Sequence, residues 1–453
     1  MGSHSRSSVK QVLGITDMRE WADRILYRIA LLCATPLAIG YFLWRSRKDR
    51  MYRQHLAERF GVIVPHHRRP IWLHVVSIGE FRACLTLINR LLELGETIHL
   101  ACITPVARRA IAETYAEAID NGTVSVSWAP LDTVGSVVRA IRRIQPKAIL
   151  VSEIEIWPEQ IIQAARHNIP LVLVNAQYLE RSYQRDCRTS GWRFRAIGHV
   201  HTACVKSATH AARFQSTGIA RIAVTGELRF DQPLPAALIN QGIDNRAAFA
   251  RNRPTIAMVS VIEGEDTLCI DAIVALRHEA TESGRPQPLI IYVPRAPERF
   301  GLVYQQLIAR GLVVKRRSEL FDSTFHPQTP LLEPIDVLLG DSMGEMYGYL
   351  AMADQVVVGG SFAPKGAHNI SEAIALGKPV YTGPFLHTIE FPAVEAKAAG
   401  VLRVVDNTSA ALVNALSEPA PDPQKIREFF SAHTGATERT ISVIRSILDH
   451  QNL

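Results

Sequence analysis

Two short acidic segments and a set of glycine-bearing loops carry the side chains best suited to chemistry. Glu80 closes the run Ser77-Ile78-Gly79-Glu80, directly after the apolar segment Ile71–Val76. A carboxylate there is either a general base or a residue that a helix dipole favours in its first turn. Ser152-Glu153-Ile154-Glu155 follows another apolar segment, and Pro158 suits the first turn of the helix after it. The second half of the chain has four comparable loops. They are Ser260–Glu265, Pro294–Arg299, Gly340–Glu345 (with Met343 and Gly344), and Gly359-Gly360-Ser361 continuing to Asn369-Ile370-Ser371-Glu372. The glycines of the last loop let main chain approach a ligand, and a helix beginning near Asn369 would point N–H groups at the same place, an arrangement suited to phosphate. Glu372, one turn in, is placed either to accept hydrogen bonds from ribose hydroxyls or simply to favour the dipole. Arg295 can hold phosphate by two parallel hydrogen bonds. The chain has no G-x-x-x-x-G-K-[ST] and no Asp-x-Asp, which excludes a Walker-type NTPase and gives a metal-bridged diphosphate no anchor. No metal and no cofactor are expected.

The elements that must position these loops alternate. Strands are expected at Ile71–Val76, Ile98–Ile103, Val124–Trp128, Ala148–Val151 and Leu171–Val174, with helices between. The segment Phe230–Arg253, with its prolines and Gly242, reads as a linker. The alternation then restarts, with strands at Thr255–Val259, Leu289–Val293, Asp336–Leu339, Gln355–Val358 and Pro379–Thr382. A helix is expected at Asn369–Leu376 and a single final one from about Gln424 to His450. The fold class is therefore α/β, with two Rossmann-like domains of parallel sheet whose ligands sit beyond the carboxyl ends of the strands.

Charge separates the N-terminus from the rest. The 453 residues carry a formal net charge of +7, from 50 Lys+Arg against 43 Asp+Glu. Residues 1–60 hold eleven Lys/Arg and five Asp/Glu, so the remaining 393 carry only +1. That nearly neutral body lacks a basic stripe interleaved with aromatics, which argues against nucleic acid as a partner. Ile29–Trp44 is sixteen residues without a charge, followed by Arg45, Arg47, Lys48, Arg50 and Arg53. Sixteen residues fall short of the roughly 20 that span a bilayer as a helix, and Pro36 and Gly40 weaken a straight span. The segment either lies in a membrane interface with its basic residues on anionic headgroups or forms a buried helical hairpin. Six widely spaced cysteines give neither a disulfide framework nor a zinc signature.

From about Arg24 to Gly400 the chain resembles the 3-deoxy-D-manno-octulosonic acid (Kdo) transferases of lipopolysaccharide assembly, through IWLHVVSIGE, EIEIWP, VTGELRFD, VPRAPERF, GDSMGEM and GGSFAPKGAHNISEAIALGKPV. The resemblance implies a GT-B glycosyltransferase with two Rossmann-like domains facing across a cleft and an N-terminal membrane-associating helical segment. Its boundaries would be 1–60 for that segment, 61–232 for an acceptor domain, 233–253 for the linker, 254–422 for the nucleotide-sugar domain and 423–453 for a C-terminal helix. It implies an inverting transfer of Kdo from CMP-Kdo to the lipid A precursor (lipid IVA), peripheral or monotopic on the cytoplasmic face of the inner membrane, without a metal. Glu80 matches the base. Glu155 and Arg229 match positions that stabilise the transition state, Arg229 standing where Lys is usual. Pro294, Arg295, Met343, Gly344, Glu345, Asn369, Ile370, Ser371 and Glu372 match the CMP-sugar segments. The family's Ser-Thr-His-x-Gly-Glu is here Ser260-Val261-Ile262-Glu263-Gly264-Glu265, and Ala296 replaces a His. These losses keep two other readings open: transfer of another CMP-activated 2-keto acid sugar or to another acceptor, and a non-catalytic membrane scaffold that binds nucleotide or lipid.

Overall fold

The computed structural model describes residues 18–65, 68–188, 192–328 and 334–451. The chain divides into two compact units, one made of the residues up to Gln232 together with those from Gly435 onward, the other of Pro233–Thr434.

The first unit is built on seven strands: β1 (Ile71–His74), β2 (Ile98–Cys102), β3 (Val124–Trp128), β4 (Ala148–Ser152), β5 (Leu171–Ala176), β6 (Thr202–Val205) and β7 (Ile222–Val224). They pair in the order β3-β2-β1-β4-β5-β6-β7, all parallel. Strands covered on both faces read as continuous apolar runs, and β1, β2, β4 and β5 are buried throughout. Alternate residues serve opposite faces. Ile71 and Leu73 pack with the helices Ile78–Glu93 and Pro105–Thr114, whereas Trp72 packs with Val134–Ile144 and Pro158–Arg166.

The second unit repeats the plan with β8 (Thr255–Val261), β9 (Leu289–Pro294), β10 (Val314–Arg316), β11 (Val337–Leu339), β12 (Gln355–Val358), β13 (Val380–Thr382) and β14 (Leu402–Val404), ordered β10-β11-β9-β8-β12-β13-β14 and again all parallel. In each unit the loops after the strands therefore share one edge of the sheet. Four strands, β6, β7, β10 and β14, are absent from the sequence expectations; they are only three or four residues long and carry no sustained apolar run.

Three segments differ from expectation. The region read as a linker contains a helix, Ala236–Phe249, whose Gly242 lies against Gly348; a Cβ there would meet the Gly348 carbonyl at 2.4 Å. The single final helix is two, Pro423–His433 and Ala436–Gln451, broken at Gly435, whose φ of 82° suits glycine. Asp231 accepts the Gly435 and Thr437 N–H groups, and the second helix buries Ile441, Ile444, Ile447 and Leu448 in the core of the first unit.

The N-terminal segment is neither a sixteen-residue run nor a hairpin. It is one helix, Met18–Arg45, of 28 residues, continuous through Pro36 and Gly40. It is long and apolar enough, by length and composition, to cross a membrane. Leu26, Ile29, Leu32, Leu37, Tyr41, Leu43 and Trp44 are exposed along it.

Candidate active site

In the first unit the site begins at Glu80, in the first turn of Ile78–Glu93. Ser77 caps that helix: its Oγ accepts from Glu80 N at 3.3 Å and donates to Glu80 Oε1 at 3.2 Å. The other carboxylate oxygen accepts from Val76 N at 2.9 Å. Glu80 is only 8 % exposed. Burial pushes its pKa up to about 8; the Val76 N–H works against this, while the negative charges of Glu153 and Glu155 add to it. A carboxyl titrating near neutrality with no cation bound directly to it is suited to take up a proton.

Beside it lies a charged cluster drawn from the carboxyl ends of β4 to β7. Lys206 and Glu227, both buried, pair at 2.7 Å. Arg229 Nη1 lies 3.3 Å from Glu227 Oε1, and its Nη2 lies 3.5 Å from Glu153 Oε1. Asn175 Nδ2 donates to Glu227 Oε1 at 3.0 Å, and Gln177 Nε2 donates to Glu153 Oε2 at 3.3 Å. Burial alone would raise the Glu227 pKa, but Lys206 and Arg229 outweigh it and hold the group down at about 2. Glu153 and Asn175 have φ of 57° and 53°, the left-handed region that side chains seldom occupy. Such local strain is commonest where a fold must aim functional groups.

Glu155 points elsewhere. It accepts the Trp157 Nε1–H at 3.1 Å and lines a groove under the N-terminal helix, while its charge still reaches Glu80. The structure thus places Glu80 after β1 and Arg229 after β7 on one edge of the sheet, with β4, β5 and β6 between them and Glu153 acting on both; Glu155 lies at the margin. Lys206, Glu227, Asn175 and Gln177 were missed by sequence reasoning. Glu227 sits two residues before Arg229 inside VTGELRFD, and that spacing was the available signal; Lys206 is marked only by following the short strand β6.

In the second unit the strand-end loops converge on Gly359-Gly360. Glu265, 1 % exposed, accepts from Ile262 N, Gly360 N and Phe362 N at 3.0, 2.8 and 2.8 Å. A Cβ at Gly359 would meet Ser260 O at 2.6 Å and Glu265 Oε2 at 2.8 Å, so only glycine fits. Pro294 is buried at the end of β9, and Arg295 is exposed. Burial and the Arg295 charge push His368 down to about 4, which places Arg295 beside the loop after β12. Met343 is exposed and Gly344 turns the chain at φ 88°. The Glu345 carboxylate accepts from Arg317 Nε at 2.7 Å, so it orders its own loop. Asn369 Oδ1 accepts from Ser371 N at 3.0 Å, while Ile370 and Ser371 are buried. The helix expected at Asn369–Leu376 is only five residues, Ser371–Ala375, too short for the dipole argument; the glycine main chain and Arg295 are the groups there chemically suited to an anion. Glu372 in its first turn lies near Tyr347, whose pKa burial and that charge together raise, linking the loops after β11 and β12. Among the described residues no three His, Cys, Asp or Glu side chains are grouped to hold a metal ion.

The family model described as 3-deoxy-D-manno-octulosonic-acid transferase (kdotransferase) matches residues 54–232. A 3-deoxy-D-manno-octulosonic acid transferase of Bordetella pertussis is 35% identical over 441 residues, covering 94% of this chain and 99% of that one. The chain belongs to the Kdo transferase family. A Kdo transferase of Haemophilus influenzae is 28% identical over 94% of this chain and 99% of its own length. The fold has its own parallel: a glycosyltransferase from Rickettsia africae superposes with a TM-score of 0.55 at 12% identity, covering 84% of this chain and 99% of that one. Two seven-stranded parallel sheets with an apolar N-terminal helix make this Kdo transferase family member a GT-B-class glycosyltransferase.

Proposed function

We propose that the chain transfers Kdo from CMP-Kdo to the lipid A precursor (lipid IVA), inverting the anomeric centre, with Glu80 as the general base. The observation that carries this reading is the environment of Glu80: a buried carboxyl with its pKa at about 8, within the charge field of Glu153, which itself pairs with Arg229, in a chain related over nearly its full length to Kdo transferases. Glu80 takes the proton from the attacking sugar hydroxyl as the bond to the anomeric carbon forms and CMP leaves with its electron pair. Arg229, held by Glu227 and Glu153, offers positive charge to the negative charge that develops. Glu155 stands at the acceptor side. In the second unit the loops at Pro294–Arg295, Met343–Glu345 and Asn369–Glu372 hold the CMP-sugar, and the reaction needs no metal. The exposed apolar helix followed by Arg45, Arg47, Lys48, Arg50 and Arg53 supports attachment to an anionic membrane, the cytoplasmic face of the inner membrane.

The test is incubation of the full chain with CMP-Kdo and tetraacyl disaccharide lipid, read by mass spectrometry. A Kdo-lipid product is expected, and Glu80→Gln should lower the rate by about 10³-fold while calorimetry still shows CMP binding. A second reading, transfer of another CMP-activated 2-keto acid sugar, is favoured by Ile262 and Ala296, half-buried apolar side chains on two donor-side loops. It predicts CMP binding but no product with CMP-Kdo. CMP binding with no turnover on any donor would instead indicate a non-catalytic scaffold.

A further inference from the structure

The N-terminal helix does not lie flat on the first unit. A groove of about 290 Å³ runs beneath it. The helix side of the groove is made by Leu31, Ala34, Thr35 and Ala38, where the two alanines leave room that larger residues would fill. The facing wall comes from the loops after β3 and β4, chiefly Leu131, Ile156 and Trp157.

The polar side chains along the groove are satisfied by one another. Tyr27 OH donates to Asp132 Oδ2 at 2.7 Å, and Asp132 also accepts the N–H groups of Glu159 and Gln160. Thr35 Oγ1 donates to Leu31 O at 2.8 Å, Thr133 Oγ1 to Ser136 Oγ at 2.8 Å, and Trp157 Nε1 to Glu155. Apolar atoms make up the larger part of the groove's lining, and a half-buried surface of that kind favours an occupant that is mainly apolar. On the same helix Leu32 and Leu37, each adjacent in sequence to a groove residue, are 65% and 76% exposed. Isolated apolar side chains on a surface are ordinary, but a contiguous apolar helix face marks a membrane contact. The groove also reaches Glu155, whose charge is felt at Glu80.

We propose that this groove seats one hydrocarbon chain of the lipid acceptor, drawn sideways from the membrane along the N-terminal helix, so that the lipid's sugar headgroup emerges at Glu155 and Glu80. This rests on the lipid acceptor of the preceding section and adds to it the place where the lipid is gripped. The groove acts on tail binding, so it sets acceptor affinity and leaves the chemical step alone.

The test fills the groove. Ala38→Trp in the full chain should raise KM for the acylated acceptor about tenfold with kcat unchanged, while KM for the deacylated, water-soluble disaccharide stays as in the wild type. Leu37→Ser, on the outward face, should weaken vesicle binding without this discrimination between acceptors. A second readout does not depend on turnover. In phosphatidylethanolamine–phosphatidylglycerol vesicles holding a phospholipid with a diazirine in its acyl chain, irradiation should label residues 31–38 and 155–157 in the wild type. In Ala38→Trp the label should remain only on the outward face of the helix. An unchanged acylated-acceptor KM in Ala38→Trp, or wild-type labelling confined to the outward face, overturns the proposal. Labelling of the groove in a protein that makes no Kdo-lipid leaves the groove in place and overturns the catalytic reading alone.

Discussion

At the scale of single residues, the molecule works by opposing two carboxyls in similar burial. Glu227 is held ionised by Lys206 and Arg229, whereas Glu80 has only hydrogen bonds to oppose burial and keeps its proton up to about pH 8. Between its ordinary value of 4.5 and about 8, the folded state holds a proton on Glu80 that the unfolded chain has released. That stabilising contribution is complete at low pH and is lost as pH rises through 8. In the proposed mechanism it is the ionised form of Glu80 that abstracts the proton, and its fraction grows over the same window. The pH profile of kcat/KM should therefore climb with unit slope and level off near pH 8. Glu155→Gln removes one of the negative neighbours and should move the midpoint to lower pH. Lys206→Met makes a different prediction. It takes the nearer cation from the buried Glu227 carboxylate, leaving Arg229 at 3.3 Å, and should cost about 3 kcal/mol in urea unfolding, with much of that recovered in the Lys206→Met/Glu227→Gln pair. Glu80 was legible in the sequence because it follows the apolar run Ile71–Val76 and opens a helix. Lys206 was not: its meaning depends on Glu227, twenty-one residues later, and only the sheet order brings the two together.

Among the elements, the strands carrying continuous apolar runs were readable, and the edge strands β7, β10 and β14 were not: β10 and β14 carry charged residues, and β7 is flanked by polar or charged residues rather than by a longer apolar run. Helix limits depended on tertiary partners in the same way. The N-terminal helix was legible only as its charge-free half. Its first turns carry charges that serve as anchors: Arg28 forms a bidentate pair with Glu159 at 2.7 and 3.0 Å, and Arg195 pairs with Asp23. Glu159 is fully buried. Arg28→Ala should therefore release the helix from the body. Hydrogen exchange across residues 18–45 is expected to lose its protection while β1–β5 keep theirs.

At the scale of the whole molecule, the two units depend unequally on the chain's order. Four large apolar side chains of Ala436–Gln451 complete the core of the first unit, although the second unit separates them from it in sequence. Burying such side chains contributes about 1.5–3 kcal/mol each, a sum comparable to the net stability of a domain. A chain ending at Thr434 should lose the cooperative melting of the first unit by calorimetry and still bind CMP through the second. The surplus of charge also belongs to this scale: six of the seven net positive charges lie in the first sixty residues, beside the apolar helix.

The placement of Ala436–Gln451 has a consequence for biosynthesis. Translation delivers the N-terminal helix before the second unit and the closing helix of the same first unit after it. Domains commonly fold as they leave the ribosome, but here the first must wait, its core open along the surface that Ile441, Ile444, Ile447 and Leu448 will cover. A ribosome that stops before that helix releases a chain with a finished second unit and an unfinished first one, a target for proteolysis. The half of the molecule that carries Glu80 thus closes only once Ala436–Gln451 has been made.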